Sequence, residues 1–429
     1  MKTDPYWWEG APRPDIAPTD LPQTIDVAIV GSGYTGLIAA LKLAQAGRSV
    51  AVFDADAIGA GASSRNAGFV GRTLKYSFGD IVQAKGLQHA IATYQEMQAA
   101  FRAVADTVSA YAIDCAFRVH GRLVVAETPA QYDALAREYE LRQRHLGSPF
   151  EVLDRAALPR EIGSPRYVGG VVLPDLASIH PGLYHQGLVT AALALGVALH
   201  PFTRVSALTR QETGFRVGTE RGSLLARDVI LATNGYTDGL LPWLRRRLIP
   251  FDAWQMATAA LPQGLIDQLL PRDRTYIDSY MNIDAIRRSP DGSRILYCGK
   301  TGERSDPVTM GRRLSAELRA VFPALHDFLG DDTGVSHSWT GRCAATFDLL
   351  PHMGTHDGIH YAVGYCFAGL PMGSYFGRLL AQRILNPGSV TSVFADQTFK
   401  TVPFYRGNNW FVPWMMRYYD LKEGKRHAA

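Results

Sequence analysis

The chain has 429 residues, more than one hydrophobic core usually serves, and its 47% hydrophobic and 20% charged composition is that of a globular protein with at least two intimately joined domains. Lys and Arg number 44 against 40 Asp and Glu, and this +4 balance is spread along the chain without a basic block or interleaved aromatics, so no nucleic-acid partner is expected. Four cysteines, Cys115, Cys298, Cys343 and Cys366, stand far apart without CxxC or Cys/His ligand spacing, which predicts reduced thiols, a cytoplasmic location and no metal site. The N-terminus lacks an apolar signal core, and no run of about 18 apolar residues occurs, so no membrane span is expected.

In chain order, residues 1–23 read as a proline-rich arm whose aromatics Tyr6, Trp7 and Trp8 pack on the body. Asp26 to Asp54 then forms a βαβ unit. Two short β-branched runs, Asp26–Val30 and Ser49–Phe53, flank a helical segment, and Gly31, Gly33 and Gly36 fall in GxGxxG spacing between them. Gly31 permits the tight turn, Gly33 lets backbone approach a pyrophosphate, and Gly36 lets the helix lie close on the strands. The phosphates would meet the free N–H groups and positive dipole end of the helix, and Asp54 is placed to accept from a ribose hydroxyl.

The following loop, rich in Gly, Ala and Ser, carries Arg65 and Asn66 within reach of phosphate or ribose. Arg72 and Lys75 come next and read either as solvated charges or as the partner of an anionic substrate group. Leu87–Tyr111 shows a long apolar stripe at helical spacing, Arg122–Ala126 reads as a strand, and Tyr132–Leu146 as a second amphipathic helix. Pro181–Leu195 is expected to be helical, with strands around Arg204–Ala207, Phe215–Gly218 and Asp228–Leu231. From Phe251 to about Val335 alternating strands predict an antiparallel sheet. The chain is expected to cross back at Trp339–Gly341, form a strand at Ile359–Val363, make a glycine-rich turn over Gly364–Gly373 and end in a helix over Gly377–Leu385.

GSGYTGL, Asp54, GASSRNAGF, the IHP of Ile179–Pro181, ILATNGY, the WTG of Trp339–Gly341 and the closing GRLLA together resemble the D-amino-acid-oxidase-like FAD oxidoreductases, which include glycine and sarcosine oxidases, with the nearest likeness to the gamma-glutamylputrescine oxidases. The likeness runs from about residue 24 to 420. It implies an α/β fold (α+β overall), a Rossmann-type FAD-binding domain (24–86, 152–250 and 338–390) interleaved with an antiparallel-sheet substrate domain (87–151 and 251–337), an N-terminal arm (1–23) and a C-terminal tail (391–429). The implied cofactor is non-covalent FAD, and the implied partners are a small amine substrate and either O2 or another electron acceptor.

By the same resemblance Gly31, Ser32, Gly33, Tyr34, Thr35 and Gly36 hold the pyrophosphate, Asp54 and Ala55 the adenosine ribose, and Ser63, Ser64, Arg65 and Asn66 the phosphates and ribityl chain. Val205 meets the adenine edge, Ala232, Thr233 and Gly341 complete the cofactor set, and Gly369, Leu370 and Met372 lie beside the isoalloxazine. Catalytic candidates are His180 as a base, Trp254 and Gln255 as the substrate-side wall, Lys300 as a charge assisting O2, and Phe367, Leu370 and Met372 as an apolar lid over the flavin. The family's glycine-turn Lys is absent, since the chain reads Gly369, Leu370, Pro371, Met372 there, and Ala368 stands where the gamma-glutamylputrescine oxidases have a His. The implied chemistry is hydride transfer from a carbon bearing a neutral amine to flavin N5, giving an imine that hydrolyses. A hydroxy acid in place of the amine, or a non-catalytic nucleotide-binding subunit, remain the alternatives.

Overall fold

Two eight-stranded sheets organise the computed structural model, which describes residues 1–330 and 332–428. The first is built on the strand Thr24–Val30, whose last four residues are fully buried. It runs parallel to Gly222–Leu231 on one side and to Val50–Phe53 on the other, with Ala198–His200 beyond. Burial on both faces explains the unbroken apolar runs of these strands. Val205–Gln211 and Gly214–Thr219 extend the sheet as an antiparallel meander, and Ile359–Val363 joins parallel to the end of Gly222–Leu231.

The helix Tyr34–Gln45 crosses between the first two parallel strands, and the closing helix Gly369–Leu385 packs on it. One glycine fits the first helix to the turn before it, and another lets the closing helix approach that helix. A Cβ on Gly36 would lie 2.0 Å from the Gly31 carbonyl oxygen, and one on Gly377 2.7 Å from that of Thr35. The 24-residue helix Leu87–Ala110 covers the closing helix with Met97, Phe101 and Val104.

The second sheet has the order Val335–Thr346, Leu248–Thr258, Ile295–Gly299, Ala285–Arg288, Thr275–Ile277, Arg122–Ala126, Gly169–Leu173, Glu151–Asp154. All its pairings are antiparallel except that of Thr275–Ile277 with Arg122–Ala126, so the expected antiparallel sheet is in fact mixed. The parallel pair joins strands from distant parts of the chain.

Three expectations are corrected here. Trp339–Gly341 does not return to the first sheet, because Val335–Thr346 pairs with Leu248–Thr258 from Leu248↔Thr346 to Thr258↔Val335. The return falls instead at His352–His356 and Ile359–Val363. Glu151–Asp154 and Gly169–Leu173 lie in the second sheet, so the stretch from 152 to 173 is separated from the nucleotide-binding sheet. Strand alternation reports a buried face and carries no information on which sheet supplies the neighbour. Finally, the closing helix starts at Gly369, eight residues earlier than expected, because Pro371 sits in the first turn, where a missing N–H costs nothing.

The arm packs as the sequence suggests, with Trp7 fully buried against Ala257, Leu296 and Trp339. The tail adds the helix Val412–Glu423 and then Lys425, whose ammonium is buried 3.0 Å from Asp278 and 3.1 Å from Asp284. Among the described residues no helix is long and apolar enough to cross a membrane, and no group of three His, Cys, Asp or Glu is placed to hold a metal.

Candidate active site

One cavity of about 570 Å³, in the range of small-molecule sites, runs between the two sheets. Its first half is made where the parallel strands end. Val30 leads into Gly31, whose φ of +107° suits only glycine, and the turn places Gly31, Ser32, Gly33, Tyr34 and Thr35 on the wall. Gly33 is the N-cap of the helix and offers no side chain to its free amides, although Tyr34 N donates to Ser63 Oγ at 3.0 Å. The closing helix presents a second N-terminus without a side-chain cap, with Gly369, Leu370 and Pro371 on the wall.

Asp54 ends the strand Val50–Phe53 and lines the same half. Its Oδ2 accepts from Ser32 N at 3.0 Å and Ser32 Oγ at 2.5 Å, and its Oδ1 accepts only from Asp56 N at 3.0 Å. Burial raises this carboxyl above the usual carboxylate range, against the lowering pull of the Ser32 bonds. Oδ1 keeps a lone pair for one more donor, as a ribose hydroxyl requires. Ala55, Ser63, Asn66, Val205, Ala232, Thr233 and Gly341 share the cavity wall. A glycine turn, two helix N-termini and a carboxylate at the strand end fit FAD, with phosphates at the turn and ribose at Asp54.

The second sheet supplies the other half. Gln255, Cys298, Ala285 and Ile277 are register neighbours across four strands, and all four line the cavity. Gln255 Nε2 donates to the Arg65 carbonyl at 2.6 Å, which fixes the amide in place. Phe367 also lines this region, at 38% exposure and with φ +62°, and marks where the cavity meets solvent.

Lys75 and Arg122 complete this half. Lys75 Nζ donates to the Met281 carbonyl at 2.6 Å and lies 4.5 Å from the Phe367 ring centre, and burial lowers its pKa. Arg122 opens its strand at 3% exposure, where burial brings its pKa down to about 10, still charged at neutral pH. The sequence left Lys75 open between a solvated charge and the partner of an anionic substrate group, and assigned nothing to Arg122. A charged residue opening an apolar strand ordinarily sits at the sheet margin, so pattern alone gives no sign of its burial.

Several expected site residues lie elsewhere. His180 is off the cavity, where Nδ1 accepts from Leu183 N at 3.1 Å as a helix cap and the ring packs edge-on against Trp7. Burial holds it near pKa 4, which suits a neutral cap and removes it as a base at the cavity. Trp254 faces the opposite side of the sheet from Gln255, inside the second core, and donates to the Glu303 carbonyl at 2.8 Å. Strand alternation forces this, because adjacent residues point to opposite faces. Lys300 is tied to Glu317 and His427 away from the cavity. Met372 is fully buried on the core side of the closing helix, and Gly36 serves helix packing.

Ser64 and Arg65 also turn away. Ser64 donates to the Gly59 carbonyl and accepts from Trp8 Nε1, while Arg65 donates to the carbonyls of Ala60 and Thr340 and stacks on Trp8 at 4.5 Å. Arg72 pairs with Asp175 and Gln98 outside the cavity.

This geometry defines a dinucleotide-binding protein whose ligand cavity is completed by a second sheet. The chain matches the family described as FAD dependent oxidoreductase (DAO) over residues 26–383, and it belongs to that family. It is therefore an FAD-dependent oxidoreductase. It is 30% identical over 407 residues to the gamma-glutamylputrescine oxidoreductase of Escherichia coli (strain K12), covering 93% of each chain. It is 26% identical to the glycine oxidase of Geobacillus kaustophilus (strain HTA426), covering 84% of this chain and 92% of that one. Among solved structures, glycine oxidase from Geobacillus kaustophilus superposes with a TM-score of 0.68 at 22% identity, covering 90% of this chain and 99% of that one. L-proline dehydrogenase from P. horikoshii gives 0.72 at 16% identity, covering 94% and 99%. These two structural likenesses bear on the fold alone.

Proposed function

We propose that this enzyme oxidises a C–N bond of a small amine or amino acid in the half of the cavity walled by the second sheet. The observation that carries the reading is the charge of that half. Asp54, Asp56 and Asp238, the acidic residues described on the cavity wall, all belong to the nucleotide half, whereas Lys75 and Arg122 stand in the other. Two cations and an apolar surface disfavour an ammonium ion there, so the substrate amine is held neutral, the form that releases electrons to its carbon. The relatives point the same way, since the names of gamma-glutamylputrescine oxidoreductase, glycine oxidase and D-amino acid dehydrogenase all specify nitrogen-bearing substrates.

Bound FAD supplies a two-electron acceptor for the hydride of the carbon bearing the amine. The residues of the chain then have three tasks. The turn Gly31–Gly33 and Asp54 hold the cofactor, Gln255 and Ile277 shape the substrate wall, and Phe367 limits entry of water. With FAD held there, O2 or another acceptor would take up the two electrons, O2 giving hydrogen peroxide. Four free thiols suit a cytoplasmic enzyme.

The test is product analysis with a panel of primary and secondary amines, amino acids and hydroxy acids. The reading expects a carbonyl compound, trapped as its hydrazone, together with the released amine or ammonia. Turnover of hydroxy acids with none of the nitrogen compounds would contradict it.

A further inference from the structure

We propose that the helix Val412–Glu423, with the segment before it, is a docking surface for a bilayer containing anionic lipids, so that the enzyme lies against a membrane without crossing it.

The helix has two unlike faces. Val412, Met416 and Asp420 are buried, the first two against Ile249, Phe251, Ala345 and Cys366. Trp414, Tyr418 and Leu421 recur at helical spacing on the opposite face and are 70%, 60% and 75% exposed. Just before the helix, Trp410 is 67% exposed and Phe404 fully so. Among the described residues no large apolar side chain elsewhere is more exposed than any of these. Such a patch of apolar rings in water marks a surface that binds something.

Charge says what it binds. Residues 400–428 hold two acids, and both turn inward: Asp420 Oδ2 accepts from Asn282 Nδ2 at 3.1 Å, and Glu423 Oε2 from Met281 N at 2.8 Å. The cations turn outward. Lys400, Arg406, Arg417, Lys422 and Arg426 are exposed, and their side chains make no ion pair. At about 100° per residue, Arg417 and Lys422 fall on either side of the stripe formed by Trp414, Tyr418 and Leu421. Aromatic rings bordered by unpaired cations suit a membrane interface, where the rings settle at headgroup level and the cations meet lipid phosphates. A second copy of the chain fits less well, because a two-fold contact would set the same cations face to face. Cys366 packs beneath this helix and lines the cavity beside Phe367, so docking holds the cavity opening close to the bilayer.

The flavin-loaded full chain is centrifuged with vesicles of phosphatidylcholine alone and of phosphatidylcholine mixed with phosphatidylglycerol, and tryptophan emission is recorded in parallel. Binding to the anionic vesicles about ten-fold or more above the neutral ones, a blue shift of the emission and release by added salt are expected. Arg417→Gln with Lys422→Gln should lower the partition about ten-fold or more. Trp414→Ser with Tyr418→Ser should lower it as well and remove most of the blue shift. All four side chains are exposed, and retained flavin reports an intact fold. If one variant pair loses its flavin, the native lipid comparison and the other pair decide. Native protein that stays in the supernatant with anionic vesicles, equal binding to both vesicle types, or undiminished binding by the variants would overturn the proposal. So would a lipid-free dimer that Trp414→Ser with Tyr418→Ser dissociates, which would make this face a contact between copies.

Discussion

Thr35 Oγ1 and Tyr365 OH lie 2.7 Å apart and join the two ends of the cofactor fold across 330 residues of sequence. Tyr365 OH also donates to the Ala362 carbonyl at 3.1 Å, so in this pair Thr35 is the donor. The bond ties the first turn of the Tyr34–Gln45 helix to the segment that launches the closing helix. Tyr365→Phe leaves the buried Thr35 hydroxyl without its acceptor and should lower unfolding free energy by about 1–2 kcal/mol. Denaturant unfolding of the flavin-loaded protein checks this, and an unchanged midpoint would contradict it.

At the turn itself, a Cβ on Gly33 would stand 2.9 Å from Ser63 Oγ, before any further methyl groups are added. Gly33→Val should therefore purify without flavin. Asp54→Ala should weaken FAD by about 1.5–3 kcal/mol, the scale of a charge-assisted hydrogen bond, with kcat at saturating FAD nearly unchanged. Fluorescence titration of the apoprotein measures the first effect. Unaltered affinity with a large fall in kcat would speak against a binding role.

The C-terminal clasp predicts an alkaline loss of stability. Hydrogen bonds to Asp420 and Glu317 raise the His427 imidazole from 6.5 to about 9. A raised folded-state pKa stabilises fully below the ordinary value and is lost as pH climbs through the folded one, so this contribution fades between about pH 6.5 and 9. Thermal unfolding across that window should show a slope that His427→Gln reduces. Lys300→Met, in the same cluster, should lower stability while leaving kcat/KM within about two-fold, because Lys300 lies off the cavity.

Cys343 lines the cavity, and burial pushes its thiol up to about 12, so no thiolate is available for attachment to the cofactor. Acid precipitation should leave the yellow colour in the supernatant, and the intact mass should equal that of the bare chain. Colour in the pellet with an added FAD mass, absent in Cys343→Ser, would show a covalent link.

The nucleotide half of the site was legible because its chemistry is written in local backbone demands. Gly31 and Asp54 answer to a turn and a strand end that sit within one βαβ unit. Phe367 and Gln255 were also legible, one from the glycine-rich segment and one from the strand opening the second sheet. The rest depends on long-range pairing. Whether Trp254 or Gln255 faces the cavity is decided by register, and the burial of Arg122 follows from its parallel pairing with Thr275–Ile277, far along the chain. Ser64 and Arg65 read as phosphate ligands in sequence, yet the arm residue Trp8 claims both, a contact that no local pattern encodes.

The most direct test is anaerobic mixing of the purified yellow protein with amines and amino acids, following flavin absorbance near its long-wavelength maximum. Bleaching by a nitrogen compound, with colour restored when O2 or another acceptor is admitted, is the predicted result. A flavin that stays oxidised with every amine and amino acid, but is bleached by a hydroxy acid or by none of the compounds, would contradict the account.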